Sequence, residues 1–393
     1  MVLSRRIGVV VRHLAPTSPE GTTEDEPARV GDNVTAADVS AGATPLLSAE
    51  DWKFWEEEGY LVIPDAVPLA NCEAVRREMF ETLGASEEDP NSWYEAIKAK
   101  RRYQMFTTQG IWDNRSYPKV HRAFSELWGT EKLWVSFDGV GMKLPDRPDY
   151  DGGDGFMHWD LNEEQLRAGP SSGMRVQAVL MLADTPENGG TFQCIPRFHR
   201  VLEDWVAGVD SHTLCNGGTR PSVPKMDSPT MTGFKVKKVG GQAGTLVIWN
   251  SFLPHGNSRN SSGVPRLCQC EFHCVAPTAV AGSHVAWWRV ACVAYCLFDA
   301  DLTMFPPSSP STFKAATDSH IGTNGGWSDE VERQRRVKIW ELGLHVASFD
   351  DKWDPARPFE VPDGSFGGKR TLHQAPAPSL TPLGERLLGK TSW

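Results

Sequence analysis

What the sequence lacks narrows its class first. No uncharged apolar run reaches the roughly 18 residues that a membrane-crossing helix needs, so no segment reads as a span. Basic residues are not in excess: Lys and Arg number 40 against 50 Asp and Glu, a formal net charge of -10. A general nucleic-acid binder would need a basic stripe instead, and that class is set aside. No CxxC pair occurs among the eight cysteines, at 72, 194, 215, 268, 270, 274, 292 and 296, and most of them sit inside apolar runs. This excludes a small disulfide framework and suits reduced, intracellular thiols used as small core residues. A zinc site from Cys268, Cys270, His273 and Cys274 is the competing reading; alternate residues of one core strand is the simpler one for Cys268 and Cys270.

What is present describes a globular chain of 393 residues with 40% apolar and 23% charged composition, long enough to bury a sizeable core. Fifteen tryptophans suit a large aromatic-lined cavity or a well-packed interior. Residues 1–46 begin with Arg5, Arg6 and Arg12, carry no acid before Glu20, and continue as a Pro, Thr, Gly and Asp rich tract. Too few apolar residues occur there to pack, so the tract reads as a disordered or targeting segment. Arg6-Ile7 and, five residues on, His13-Leu14 resemble the amino-terminal peroxisomal targeting nonapeptide. An intracellular protein follows, with peroxisome, mitochondrion and cytoplasm as alternatives.

The folded part is expected from Leu47, with Ser48 and Asp51 capping a helix that carries Trp52, Phe54 and Trp55. Glu58-Gly59 stops it, and Tyr60 to Pro64 reads as a short strand. Cys72, Val75, Met79 and Leu83 give Leu69 to Leu83 helical periodicity, and a further helical region spans about 91–127. Its Lys98, Lys100, Arg101 and Arg102 read as a solvated face, the alternative being contact with an acidic substrate. From Leu133 the pattern changes to short strands broken by Gly and Pro turns: 134–143, 175–182, 189–196, 234–239, 244–250 and 266–275. That series implies a mainly β core, as a barrel or sandwich. Residues 279–327 fit no expected element and read as an atypical insertion, Glu330 to Leu344 as a helix, and 346–393 as a loop-rich tail.

Chemistry concentrates at Phe156-Met157-His158-Trp159-Asp160. Side chains two apart on a strand share a face, so His158 and Asp160 offer two metal ligands together. Trp249 to His255 supplies a second strand end with a lone histidine. Together His158, Asp160 and His255 spell a 2-His-1-carboxylate set, which leaves one face of an iron(II) ion open. The open positions suit a bidentate 2-oxo acid and dioxygen. The second carboxylate of such a co-substrate needs a buried partner, and arginine's planar fork matches it best. Arg266, eleven residues after His255 and across a Gly, Asn and Ser rich turn, is the candidate. Lys143 and Gln177 point to the same cavity, with contact to co-substrate or substrate set against ordinary packing. His199 reads as shaping the turn after its strand.

His158-Trp159-Asp160, Gly189-Gly190 leading to Pro196 and His199, and His255-Gly256 through Asn260 to Arg266 resemble the phytanoyl-CoA dioxygenase family of iron(II)- and 2-oxoglutarate-dependent oxygenases. The resemblance runs from about Leu47 to Val275. It implies a double-stranded β-helix, jelly-roll and cupin-like, flanked by helices, within a single oxygenase domain at 47–345. It also implies His158, Asp160 and His255 as metal ligands, Arg266 as the 2-oxoglutarate anchor, and hydroxylation with release of succinate and carbon dioxide. The retained Asp160 favours hydroxylation over halogenation. One departure stands out: the family's Pro-Gly-Ser-His is here Pro196-Arg197-Phe198-His199.

The expected activity is thus oxidation of a small organic molecule, either an acyl-CoA-type thioester or a secondary metabolite, using iron(II), 2-oxoglutarate and dioxygen. No nucleic-acid or membrane partner is expected, and the sequence does not set an oligomeric state. The rival reading is a non-catalytic β-barrel binding protein with a structural or vestigial metal site, which would have no need of Asp160 or Arg266.

Overall fold

The computed structural model describes residues 44–99, 105, 107–135, 139–153, 155, 157–170, 176–216, 221–271, 273–275, 329–342 and 377–393. The targeting pattern at Arg6 to Leu14 and the insertion at 279–327 lie outside them. The described chain opens with Leu46 and Leu47, whose amides donate to the Glu126 carboxylate at 2.7 and 2.8 Å. Helix α1 (Ala49–Glu58) follows behind the expected cap: Asp51 N donates to Ser48 Oγ at 3.1 Å and Ser48 N to Asp51 Oδ2 at 2.9 Å. Two orphan amide donors are satisfied reciprocally. Gly59, at φ 82°, ends the helix and turns the chain into strand β1 (Tyr60–Ile63).

Helix α2 (Leu69–Leu83) buries Cys72, Val75, Met79, Phe80 and Leu83, the 3.6-residue stripe seen in the sequence. The helical region expected at about 91–127 holds three helices, α3 (Pro90–Ala99), α4 (Gln109–Arg115) and α5 (Pro118–Trp128). Pro118 sits in the first turn of α5, where its missing N–H costs nothing, so it starts a new helix rather than extending the previous one.

Strands β2 (Leu133–Val135), β3 (Val140–Lys143), β4 (Met157–His158), β5 (Val176–Met181), β6 (Phe192–Cys194), β7 (Lys237–Val239), β8 (Leu246–Asn250), β9 (His255–Asn257), β10 (Arg266–Glu271) and β11 (His273–Val275) pair antiparallel throughout. A five-stranded sheet runs β1-β8-β5-β10-β3, a four-stranded one β4-β9-β6-β7, and β11 pairs with β2. Short helices α6 (Glu163–Ala168), α7 (Leu202–Ala207) and α8 (Ser211–Leu214) lie between strands.

The larger sheet has two apolar faces, and each belongs to a different core. Val176, Ala178 and Leu180 of β5, with Leu246 and Ile248 of β8, pack on Val75, Met79, Ile111, Trp112 and Phe124 from the helices. The alternate residues Val179, Met181, Val247, Trp249 and Cys268 pack on Phe192, Cys194 and Val239 of the smaller sheet. Phe192 and Trp249 meet across this gap with ring centroids 4.4 Å apart. Strands buried on both sides explain why these stretches read as near-continuous apolar runs. Cys268 and Cys270 do alternate along β10. Cys72, Cys194, Cys215 and Cys268 are buried free thiols, whereas Cys270 is disulfide-bonded, so the reduced-thiol expectation fails for it.

The turn after β6 resolves the Arg197 departure. Arg197 adopts φ 69°, the left-handed region that a glycine would occupy without strain. Its amide donates to Glu58 O at 3.1 Å and its Nε to Glu58 Oε1 at 2.7 Å. His199, on the following single turn of 3-10 helix (Phe198–Arg200), lies against Gly59, where a Cβ would come within 2.6 Å of Nδ1. Its place is structural, as expected.

The helix expected near Glu330 is α9 (Asp329–Leu342). The tail, expected to be loop, contains a further helix, α10 (Pro382–Leu388), started by the Thr381 cap with Pro382 in its first turn. Leu387 and Leu388 are fully buried in the helical core, and the buried Arg336 of α9 donates to Leu387 O at 3.0 Å and Leu388 O at 2.9 Å. Trp393 Nε1 donates to Leu133 O at 3.0 Å. The Pro and Gly content of the tail hid a seven-residue helix too short to show a period.

Two stability outcomes follow. Leu387→Ala is expected to cost about 2–5 kcal/mol in urea unfolding, as for other fully buried leucines. Arg197→Gly should stabilise by about 1 kcal/mol and Arg197→Val should destabilise, because the left-handed conformation penalises a side chain by roughly 1–2 kcal/mol; thermal melts of the pair check the sign.

Candidate metal centre

Strands β4 and β9 pair so that His158 stands directly opposite His255, and their ring centroids are 4.6 Å apart. Asp160 lies two residues beyond His158 and turns its carboxylate between the rings. Oδ1 is 3.4 Å from His158 Nε2, and Oδ2 is 3.2 Å from His255 Nε2. One ligand atom from each of the three residues falls within 4.8 Å of the others, the single such group among the described residues. The expected three residues are therefore brought together, although 95 positions separate Asp160 from His255.

The residue between them faces the other way, as strand alternation requires. Trp159 is buried against Phe198 and Trp205, both at 5.8 Å, and its indole N–H donates to Phe252 O at 3.0 Å. That bond ties the His158–Asp160 segment to the segment leading into His255. A second tie is Arg259, which reaches back to Asp146 Oδ2 at 2.5 Å and Asp151 Oδ1 at 2.8 Å in the loop before β4. Residues 113 and 108 positions apart leave no spacing signal, so this clamp was not visible in the sequence.

The electrostatics show a donor set that calls for a cation. Leu253 O lies 3.0 Å from His255 Nδ1 and can only accept, so Nδ1 carries the proton and the Nε2 lone pair points at Asp160. A lone pair and a carboxylate oxygen at 3.2 Å repel unless a positive charge lies between or beside them. Asp160 Oδ1 is buried and accepts no hydrogen bond among the described residues. Burial pushes the Asp160 carboxyl up, but positive charge at the positions of His158 and His255 outweighs it and holds the carboxyl well below its usual range; with His255 Nε2 unprotonated, that charge is left for a bound cation to supply. Two imidazoles and one ionised carboxylate match the preferences of a divalent transition metal.

Arg266 and Lys143 are register partners at the end of the β10–β3 pair, on the face shared with Cys268, and are 4% and 2% exposed. Arg266 makes no side-chain hydrogen bond or ion pair among the described residues. A buried guanidinium in that state requires an anion. Lys143 is held by its surroundings: a Cβ on Gly190, which has φ 73°, would come within 2.8 Å of Lys143 Cδ and 3.0 Å of Asn260 Cβ. Asn260, fully buried, donates to Lys143 O at 2.9 Å and Val264 O at 3.0 Å, stapling the end of β3 to the turn before β10. Gly190 and Asn260 were legible as motif residues, but not as the mould of the lysine. Gln177, 1% exposed, faces the same interior and donates from Nε2 to Asp160 Oδ2 at 2.7 Å. The side chains of Lys98, Lys100, Arg101 and Arg102 lie outside those described.

Among families, the model described as Phytanoyl-CoA dioxygenase (PhyH) matches residues 55–268, more than half of the chain and inclusive of all six residues above. A Dictyostelium discoideum protein that carries the phytanoyl-CoA dioxygenase name is 23% identical over 276 residues, 59% of this chain and 76% of its own. Ava biosynthesis cluster protein O of Aspergillus versicolor is 30% identical over 123 residues, 28% of this chain and 40% of its own. Of solved structures, the epimerase SnoN in complex with iron(III), alpha ketoglutarate and nogalamycin RO is similar at 16% identity and a TM-score of 0.42, covering 59% of this chain and 86% of that one.

Gly190→Ala is expected to destabilise the chain by about 1–3 kcal/mol, since it adds a side chain in a left-handed conformation with no room for it. Chemical denaturation compared with Gly233→Ala, a positive-φ glycine with open space around its Cβ, separates crowding from backbone strain.

Proposed function

The chain belongs to the phytanoyl-CoA dioxygenase family of iron(II)- and 2-oxoglutarate-dependent oxygenases, and we propose that it oxidises a small organic substrate at the cluster of His158, Asp160 and His255. In this reading the two facing antiparallel sheets are a double-stranded β-helix, and residues 47–345 are one oxygenase domain. What carries the proposal is a pair of complementary deficits on one interior face. The His255 Nε2 and Asp160 carboxylate face each other short of a cation, and Arg266 is buried short of an anion.

His158 Nε2, His255 Nε2 and an Asp160 oxygen would hold the metal, with Leu253 O fixing the His255 tautomer so that Nε2 is the ligating atom. The chemistry iron(II) would supply in such a setting is oxidation of a substrate C–H group by dioxygen coupled to decarboxylation of 2-oxoglutarate, one oxygen atom going to the substrate and the other to succinate, with release of carbon dioxide. Arg266 would clamp the distal carboxylate of 2-oxoglutarate through its planar fork, and Lys143 would add a second positive charge beside it. Burial of both cations keeps water from competing for that carboxylate and orients the co-substrate toward the triad. Trp249, whose ring lies 5.1 Å from His255, and Phe192 wall the site with apolar surface.

Hydroxylation is the outcome that the retained Asp160 favours. Two substrate classes remain in view, an acyl-CoA-type thioester and a secondary metabolite, and a succinate-release screen across both selects between them. A non-catalytic binding protein would retain metal binding without succinate formation.

Purified protein with iron(II), 2-oxoglutarate, substrate and dioxygen should form one succinate per turnover. Asp160→Ala should abolish it. Arg266→Ala should raise the 2-oxoglutarate requirement by about 100-fold or more, the loss expected when one partner of a buried ion pair is removed. Unchanged succinate formation in both variants would overturn the site assignment.

A further inference from the structure

Gln177 sits where the sheet pattern calls for an apolar residue. Its neighbours on the same face of β5 are Val179 and Met181, and its cross-strand partner on β8 is Trp249. A buried amide in such surroundings costs free energy unless both of its ends are satisfied. Only one is: Nε2 donates to Asp160 Oδ2 at 2.7 Å, while Oε1 is buried with no hydrogen-bond partner among the described residues. An ionised carboxylate only accepts, so the NH2 end must face Asp160 and Oε1 must face away.

We infer that Gln177 is a positioning residue for the metal centre: its amide fixes the rotation of the Asp160 carboxylate, so that one oxygen is committed to Gln177 and the other is left to the metal. Without that bond the short Asp160 side chain is free to rotate and offer either oxygen, or both, to the ion. The inference rests on the metal reading of the triad. It differs from the contact with co-substrate or substrate expected of Gln177 from the sequence, because the partner is a protein ligand. Removing hydrogen-bond partners of metal ligands lowers metal affinity by about 10–100-fold in comparable sites.

The test is titration of cobalt(II) into the metal-free full chain without 2-oxoglutarate, followed by calorimetry and by the visible ligand-field spectrum. Gln177→Leu is expected to bind cobalt(II) about 10–100-fold more weakly than the parent and with shifted bands. Gln177→Met, unbranched and of similar size, serves as the readout if the leucine variant does not fold, and carries the same expectation. Parent-like affinity, within about twofold, and an unchanged spectrum in a folded variant would overturn the inference while leaving the metal site standing. Asp160→Ala separates the two readings: if it binds cobalt(II) as the parent does, the metal assignment itself fails.

Discussion

The pairing of His158 with His255 across β4 and β9 is the constraint on which the remainder depends. β4 is only two residues long and β9 three, too little ladder to hold a register alone. The register is imposed from outside the ladder. Trp159 is anchored to Phe252 O on one side, Arg259 is anchored to Asp146 and Asp151 on the other, and β9 is held against β6 through Cys194 opposite His255. A slip of one residue would send either histidine to the opposite face of its sheet and disperse the cluster. The ordered strands around the site thus serve to hold two short ones in place.

Two opposite charges are buried on the same interior face without meeting. Asp160 is held among imidazoles and the Gln177 amide; Arg266 and Lys143 stand at the end of the β10–β3 pair. If the arginine and the aspartate had paired, each would have been satisfied and neither would have been available. In the proposed function, their separation would leave each for an external partner. A protein under selection for stability alone has no reason to bury charge in this way, since apolar substitutes of similar volume are often as stable or more so.

Much of this was legible in the sequence because it follows from periodicity and local spacing. The β strands at 176–181 and 246–250 are mostly apolar on both faces and were found as short strands, as was 266–271. His158 and Asp160 were paired by strand alternation, and the Ser48–Asp51 cap by its three-residue spacing. Helices α6, α7, α8 and α10, of four to seven residues, were missed because they are too short to repeat an apolar stripe. The helical character of 91–127 was legible, but its division into α3, α4 and α5 was not, because only Pro118 marks a start. Contacts such as Arg259 with Asp146, or Gly190 with Lys143, depend on the tertiary path and have no local signature.

The place of Trp249 has a consequence for observing the protein in solution. Its indole lies one ring away from His255 and is walled by Phe192, sealed from water at 5% exposure. Such a ring emits at short wavelength, and an open-shell ion, if the neighbouring imidazole holds one as proposed, would lie within range of contact quenching. Trp249 would then be an optical probe built into the site. Loading and release of a paramagnetic metal would change its share of the emission of the fifteen tryptophans, and a Trp249→Phe variant would isolate that share, with no label attached and no substrate identified.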